Sequence, residues 1–245
     1  MDDMDPRYVL RRCLSVTALA LVLVAALPAS GRVYQRTARP SSPEALAAAV
    51  DGRIAYRSAI RINGGAARLS VIGIPGGLRR ACAYLRRAGE TAAGEIFLFE
   101  GARLANGVIL GPDRITRLML IEPAAPDQCL LIAVEQSYGE YTQSRTPPAA
   151  HQVPDLPVYP NSTPRRSWYN AASRTSVEVF HTSDSPAAVL EFCRNELRGA
   201  GWSSMLRDNG GTLIFTRERQ LCCVSACAGE GSTNMITMLH KLMDD

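Results

Sequence analysis

The sequence predicts an α+β protein of two tandem units, each an antiparallel sheet with one helix packed on one face. Two observations predict this class. A strand, a capped turn and an amphipathic helix follow one another at 176–202, and a similar order of elements occurs in the first half of the chain. A proline-rich stretch, 142–166, separates the two halves. Each unit is expected to run hairpin, helix, then three strands.

The helix of the second half has clear start and stop signals. Ser185 is expected to be the N-cap and Pro186 the first helical residue, because proline lacks an N–H and its φ suits that position. Gly199 and Gly201 accept the left-handed conformation that ends a helix. Apolar side chains recur at four-residue steps, at Val189, Cys193 and Leu197. Such a stripe is typical of a helix that lies on a sheet. Strands are expected after it at 212–217, 220–226 and 235–239.

The first half of the chain repeats this order. Asn63-Gly64 lies between two apolar runs and favours positive φ at both turn positions, as a tight β-hairpin requires. A helix is expected from about Gly77 to Ala88. Its apolar face is expected to comprise Leu78, Ala81, Cys82 and Leu85. The later strands are expected at 95–100, 108–110, 115–122 and 129–136.

Shifts in composition set the expected domain boundaries. They are a targeting segment at 1–31, a linker at 32–50, the first unit at 51–141, a proline-rich linker at 142–166 and the second unit at 167–245.

The first residues are typical of an export signal. Three arginines precede an uncharged apolar run at 14–27, and small residues follow before Gly31. A membrane-spanning helix needs about 20 apolar residues, so this shorter run favours a signal peptide cleaved near Gly31. An uncleaved anchor at 14–27 is the alternative. The protein is therefore expected outside the cytoplasm, in the periplasm, on the cell surface or secreted, with membrane contact only through this segment.

The charge pattern gives little support to a nucleic-acid partner. The net charge is +4, and Lys241 is the single lysine among 27 basic residues. Arginine suits phosphate recognition. However, an arginine bias together with abundant alanine and glycine is typical of GC-rich coding. No nucleic acid is expected as a partner.

Two segments carry a resemblance to a known module. They read DLPVYPNST at 155–163 and VFHTSDSPAAVLEFCRNELRGAGW at 179–202. They resemble a small module of bacterial extracytoplasmic proteins with the pattern P-x-Y-P, then D-S-P-x-x-V-x-x-F and L-x-x-x-G-W. His181 and Cys193 depart from this pattern. The resemblance implies a βα-rich envelope module and no activity, because its motif consists of structural residues.

Six cysteines lie beyond the targeting segment, and an even number in an exported chain suggests disulfides. Cys82 and Cys193 occupy the same position on the two helices and are expected to face the sheets. Each unit also has cysteine in a late strand. The hypothesis is a bridge in each unit, Cys82–Cys129 and Cys193–Cys222, with Cys223 as the alternative to Cys222. The C-C-x-x-x-C spacing does not suit zinc, so no metal site is expected.

Other candidate residues are weak binding candidates. The arginines of the first helix form rows seven residues apart, at Arg79, Arg80, Arg86 and Arg87. They suit lipid phosphates or an acidic polymer, although a solvated helix face explains them as well. Asp184 could orient the imidazole of His181, but no nucleophile accompanies this pair in the sequence. We identify no catalytic residue and no cofactor-binding motif.

The sequence favours a non-catalytic, exported envelope protein that binds another protein or a cell-wall component. Two alternatives remain open. One is a secreted hydrolase-type enzyme with its site in the interdomain cleft, and the other is a scaffold subunit of an envelope assembly. Convergent ionisable groups with shifted pKa values would favour the enzyme. An exposed apolar patch or an unpaired sheet edge would favour binding or scaffolding.

The export signal makes a direct prediction. N-terminal sequencing of the protein from its native host should give a start near residue 32, because the signal peptidase cleaves after small residues. A soluble cytosolic protein that starts at Met1 would contradict export.

Overall fold

The computed structural model describes residues 37–38, 42–90, 92–100, 103–123, 128–148, 153, 156–205, 211–229 and 233–243. They form two compact units. The N-terminal unit holds the described residues up to Ile60 and those of Gly65–Arg145, and the C-terminal unit holds Arg61–Gly64 and the described residues from Thr146 onward. Antiparallel strands dominate and are joined by four helices in the part described, which confirms the α+β class. The expected targeting segment, 1–31, lies outside the described residues.

The first part of the chain supplies seven strands and three helices. In chain order they are β1 (Thr37–Ala38), α1 (Pro43–Ala49), β2 (Arg53–Ile62), β3 (Gly65–Pro75), α2 (Leu78–Glu90), β4 (Ala92–Glu100), β5 (Leu104–Leu110), β6 (Arg114–Ile121), β7 (Gln128–Ser137) and α3 (Tyr138–Arg145). The strand order across the sheet is β1-β4-β5-β6-β7-β3-β2. Four strands follow α2, and they overlap the four strands expected there from the sequence, although the expected fold gives three for each unit.

The hairpin between β2 and β3 turns as the sequence predicts. Asn63 and Gly64 both have positive φ, 47° and 84°, as a two-residue hairpin turn requires. The side chain of Asn63 also accepts a hydrogen bond from the backbone N–H of Ser167 at 2.7 Å. The turn residues thereby belong to the C-terminal unit.

Two helices cover one face of the N-terminal sheet. The predicted apolar face of α2 is confirmed, since Leu78, Ala81, Cys82 and Leu85 are all buried. Helix α1 joins the same core through Leu46, Ala47 and Val50. Residues 43–50 were expected to belong to a linker, but their alanine-rich helix is part of this unit.

The opposite face of the sheet is also buried, which corrects the expectation of one helix on one face. Helix α3 lies on that side, where Ser144 Oγ donates a hydrogen bond to Gln136 Oε1 at 3.3 Å. Apolar residues of the same face, Leu69, Ile132 and Val134, are at most 3% exposed. Strands that are apolar on both sides carry continuous rather than alternating apolar runs, and β7 shows this in Leu130–Val134 as LLIAV.

The second part of the chain supplies six strands and one helix. They are β8 (Thr163–Asn170), β9 (Thr175–Thr182), α4 (Pro186–Gly199), β10 (Ser203–Ser204), β11 (Thr212–Arg217), β12 (Gln220–Ala228) and β13 (Asn234–Leu242). Their order in the sheet is β8-β9-β13-β12-β11-β10. Four strands again follow the helix, although β10 has only two residues.

Helix α4 begins and packs as the sequence predicts. Ser185 is the N-cap and accepts a hydrogen bond from the backbone N–H of Ala188, with Pro186 in the first turn. The predicted stripe of Val189, Cys193 and Leu197 is at most 1% exposed. Gly199 is still helical, and Gly201 takes the positive φ, 82°, that ends the helix.

The proline-rich stretch is only partly a linker. Helix α3 extends to Arg145 and β8 begins at Thr163, so both ends of 142–166 carry regular structure. Between them, Val153 and Leu156 are buried in the core of the C-terminal unit. The segment therefore contributes to that core, although its prolines prevent a regular helix or central strand.

Leu156→Ala should lower the free energy of unfolding of the C-terminal unit by about 2–4 kcal/mol, because Leu156 is 7% exposed within its core. Val158→Ala is the matched control: Val158 is 42% exposed, and its loss should change stability by less than about 0.5 kcal/mol. Tryptophan fluorescence during urea unfolding measures this, since both tryptophans, Trp168 and Trp202, lie in the C-terminal unit. Equal effects of the two changes would contradict the packing of this segment.

Candidate functional site

A polar groove lies on the helix-covered side of the N-terminal sheet, where the start of α1 meets β2, β3, β6 and β7. Its volume is about 370 Å³. The residues that line it are Ser42, Pro43, Glu44, Arg57, Ser58, Ala59, Arg68, Ser70, Arg114 and Glu135. Three arginines, two glutamates and three serines therefore form most of its surface.

Glu135 lies at the inner end of this groove because of strand alternation. In β7 it shares a face with Leu131 and Ala133 of the core, and it continues that row beyond the helices. It pairs with Arg68 on β3 and with Thr116 on β6. The sheet thus places one carboxylate among basic and polar neighbours at the end of an apolar row.

The environment of the Glu135 carboxylate is unusual. Burial raises its pKa, although the charges of Arg114 and Arg68 act in the opposite direction. Its Oε2 atom is buried and receives no hydrogen bond from the described residues. A carboxylate in this state is a hydrogen-bond acceptor without a donor, a condition that costs free energy in a folded protein.

The three arginines differ in their partners. Arg57 forms an ion pair with Glu44 at the start of α1, and Arg114 forms one with Asp113 at 3.0 Å. Arg68 makes neither an ion pair nor a side-chain hydrogen bond within the described residues, and it is exposed. Arg68 therefore offers a guanidinium group to a ligand without first breaking a contact.

Helix α1 holds the rim of the groove. Ser42 caps the helix by accepting a hydrogen bond from the backbone N–H of Ala45 at 3.2 Å. Hydrogen bonds from the backbone and from Arg57 hold the pKa of Glu44 below its usual range. The capped first turn thus fixes Glu44, and Glu44 in turn orients Arg57 at the rim.

The predicted candidates His181 and Asp184 do not form a pair. Asp184 accepts hydrogen bonds from Tyr159 Oη at 2.7 Å and from Asn161 Nδ2 at 3.1 Å, which lower its pKa. His181 is half-buried, and burial and the charge of Arg165 lower its pKa. No hydrogen bond joins the two side chains in the described part of the chain. Asp184 fastens the segment around Tyr159 to the start of α4.

The arginines of α2 lie on its exposed side, as the sequence predicts, and none lines the groove. Arg80 donates a hydrogen bond to Tyr84 Oη at 2.8 Å, and Arg86 forms an ion pair with Glu100. Arg79 and Arg87 are exposed. The structure therefore does not bring these four arginines together with the groove.

The predicted disulfides are not present. No disulfide joins the described cysteines, and Cys82, Cys129, Cys193 and Cys222 are fully buried. Burial raises the pKa of Cys82 to about 12, that of Cys129 to about 11 and that of Cys193 to about 12. A disulfide forms through a thiolate, and apolar burial disfavours that species. These cysteines pack as small apolar side chains.

Sequence reasoning missed the groove. The available signal was Glu135, a carboxylate that continues the helix-facing row Cys129, Leu131, Ala133. Its partners could not be identified, because Arg68 meets Glu135 through pairing between strands far apart in the chain, and Arg114 meets it only through the register of the β6–β7 pair.

Comparisons with known protein families, with curated proteins and with solved structures find no match for this chain. The described residues contain no group of three or more histidine, cysteine, aspartate or glutamate side chains placed to hold a metal ion. Among these residues, no helix combines the length and the apolar character needed to cross a membrane.

The lack of disulfides among the described cysteines leads to a labelling prediction. In the native protein at pH 8, Cys227 should react first with Ellman's reagent, because it is half-buried while the other five described cysteines are buried. Cys227→Ser should remove this fast phase and serves as the control. In denaturant without reductant, all cysteines of the purified chain should react. If four thiols fewer than the total react in the denatured, unreduced protein, the two predicted disulfide bridges are present after all.

Proposed function

We propose that the protein is an exported, non-catalytic envelope protein whose N-terminal unit binds an anionic group of a cell-wall component in the polar groove. The observation that carries this proposal is the set of three arginines around the groove, one of which, Arg68, has no ion-pair partner among the described residues. Guanidinium groups suit carboxylates and phosphates. Export rests on the apolar run at 14–27.

The residues of the groove favour binding over hydrolysis. Ser42, Ser58 and Ser70 supply hydroxyl groups, but a serine nucleophile needs a base that takes its proton. Neither histidine nor cysteine occurs among the residues that line the groove in the described part of the chain. The donors and charges at this site are those expected for holding a ligand.

The two units are, in this proposal, tandem copies of one design. Strand order supports this, since β2-β3-β7-β6-β5-β4 in the first unit has the same sequence of connections as β8-β9-β13-β12-β11-β10 in the second. In both, a helix follows the first hairpin, and a buried cysteine, Cys82 or Cys193, lies on its sheet-facing side. Duplication gives a simple origin for a chain with two such units.

The resemblance to a bacterial envelope module is consistent with this proposal. Its two motif segments meet in the C-terminal unit, where Tyr159 donates a hydrogen bond to Asp184 and packs edge-on against Phe192 at 5.3 Å. The motif residues therefore stabilise the unit. Ligand binding is assigned to the N-terminal groove, which this motif does not include.

Co-sedimentation with purified peptidoglycan sacculi tests the function. Wild-type protein should sediment with sacculi, and Arg68→Glu should lower the apparent affinity at least tenfold, because it replaces the unpaired cation of the groove by an anion. Arg79→Glu is the matched control: it makes the same charge change on the exposed side of α2 and should leave binding unchanged.

Equal sedimentation of the wild-type and Arg68→Glu proteins would contradict wall binding through the groove. An equal loss of binding in Arg68→Glu and Arg79→Glu would show that the loss comes from the change in net charge and not from the groove.

A further inference from the structure

The groove contains opposite charges side by side. Arg68 and Glu135 are direct partners on neighbouring strands, and such cross-strand pairs have Cβ atoms roughly 4.5–5.5 Å apart. Both side chains line the groove, yet no ion pair joins them within the described residues. Glu135 Oε2 is buried without a donor. The site thus presents the half-buried carboxylate of Glu135 and the exposed guanidinium of Arg68 at short spacing in one groove.

A simple anion fits this arrangement poorly. An anion on Arg68 would lie beside the carboxylate of Glu135, and like charges at close range repel, more strongly where water is partly excluded. A simple amine on Glu135 would face the same difficulty with Arg68, Arg114 and Arg57. Only a group that carries a positive and a negative charge close together is attracted by both Glu135 and Arg68.

We infer that the groove binds a zwitterionic α-amino-acid group, with its ammonium on Glu135 and its carboxylate on Arg68. The inference rests on the proposed function and names its ligand class: a free amino acid, or a wall-peptide residue whose side chain ends in a free α-amino-acid group. In such a group the two charges are one carbon atom apart, which matches adjacent partners on a sheet. The volume of about 370 Å³ leaves room for a side chain or a further residue.

The remaining charges of the groove assist this orientation. Arg114 lies two residues from Thr116 on β6, which places it diagonally to Glu135, and its charge acts on that carboxylate. Arg57 and Glu44 neutralise each other at the rim. The uncompensated pair in the described groove is therefore Arg68 and Glu135.

An NMR titration of the purified ¹⁵N-labelled protein tests the ligand class at pH 7.5. The probes are alanine, N-acetylalanine, which lacks the ammonium, and alaninamide, which lacks the carboxylate. Alanine should bind at least tenfold more tightly than either analogue. Glu135→Gln should remove the preference for alanine over N-acetylalanine. Arg68→Gln should remove the preference for alanine over alaninamide. Arg79→Gln is the control and should bind like wild type. The spectra themselves report whether each variant is folded.

The pH dependence provides a second readout. Glu44, Arg57, Arg68 and Arg114 are the ionisable groups that face Glu135 in the described groove. The arginines stay charged, and the lowered pKa of Glu44 keeps it ionised. The raised pKa of Glu135 makes it the first of these groups to gain a proton as pH falls. Alanine affinity should therefore decrease in the wild type as the pH falls through the raised pKa of Glu135, and it should not show this decrease in Glu135→Gln.

The outcomes separate this inference from the proposed function. If N-acetylalanine binds as tightly as alanine, the groove is a plain anion site: the inference fails and wall binding stands. If alanine shifts no groove resonance, the inference fails, and sedimentation with sacculi alone decides the function. If alanine binds equally to the wild type and to both groove variants, its site is elsewhere and the inference is wrong.

Discussion

The ladder between β3 and β7 is the constraint on which the N-terminal unit depends. Its register, from Arg68 opposite Glu135 to Pro75 opposite Gln128, aligns two strands that are separated by most of the unit. The same register places Ile74 opposite Cys129 and Ile72 opposite Leu131 beneath the helices. A slip by one residue would turn every one of these side chains to the other face. Core and groove are therefore specified by one pairing, and the charge pair is as fixed as the apolar pairs beside it.

The helices determine where the core ends and the groove begins. Cys82 and Leu85 of α2 cover the apolar rows, and the short α1 adds Leu46 and Val50. At the start of α1 the sheet remains open. The helix begins sharply there, with a serine as its N-cap and a proline at its first position, so it covers no more of the sheet in that direction. Buried apolar contacts thus provide a rigid support for the polar groups at its edge.

Local features of this fold follow from sequence, and non-local ones do not. The hairpin turn at Asn63-Gly64, the cap at Ser185 and the buried faces of both long helices depend on residues close together in the chain. The burial of Leu156 depends on tertiary packing that overrides a loop-like composition. Burial of both sheet faces also escapes an analysis that looks for alternation, because runs such as 221–224 fit a strand buried on two sides. For the groove, Glu135 was a signal in the sequence, a carboxylate in an apolar row, that the sequence analysis did not use, and Arg68 is identified only by strand pairing.

The position of Glu135 in an apolar row costs free energy. A purely structural role therefore does not fully explain why a glutamate lies there. A carboxylate held half-buried, with one oxygen lacking a donor, disfavours its own ionised form, as its raised pKa indicates. If the role were purely structural, an ion pair with Arg68 on the adjacent strand would lower that cost, yet none joins the two side chains among the described residues. The free energy of folding that stabilises the β3–β7 ladder holds the Glu135 carboxylate in this unfavourable environment. Local departures from good packing are concentrated at sites of function. A ligand that brings an ammonium to Glu135 and a carboxylate to Arg68 would give each of these two groups a partner of opposite charge in one binding event.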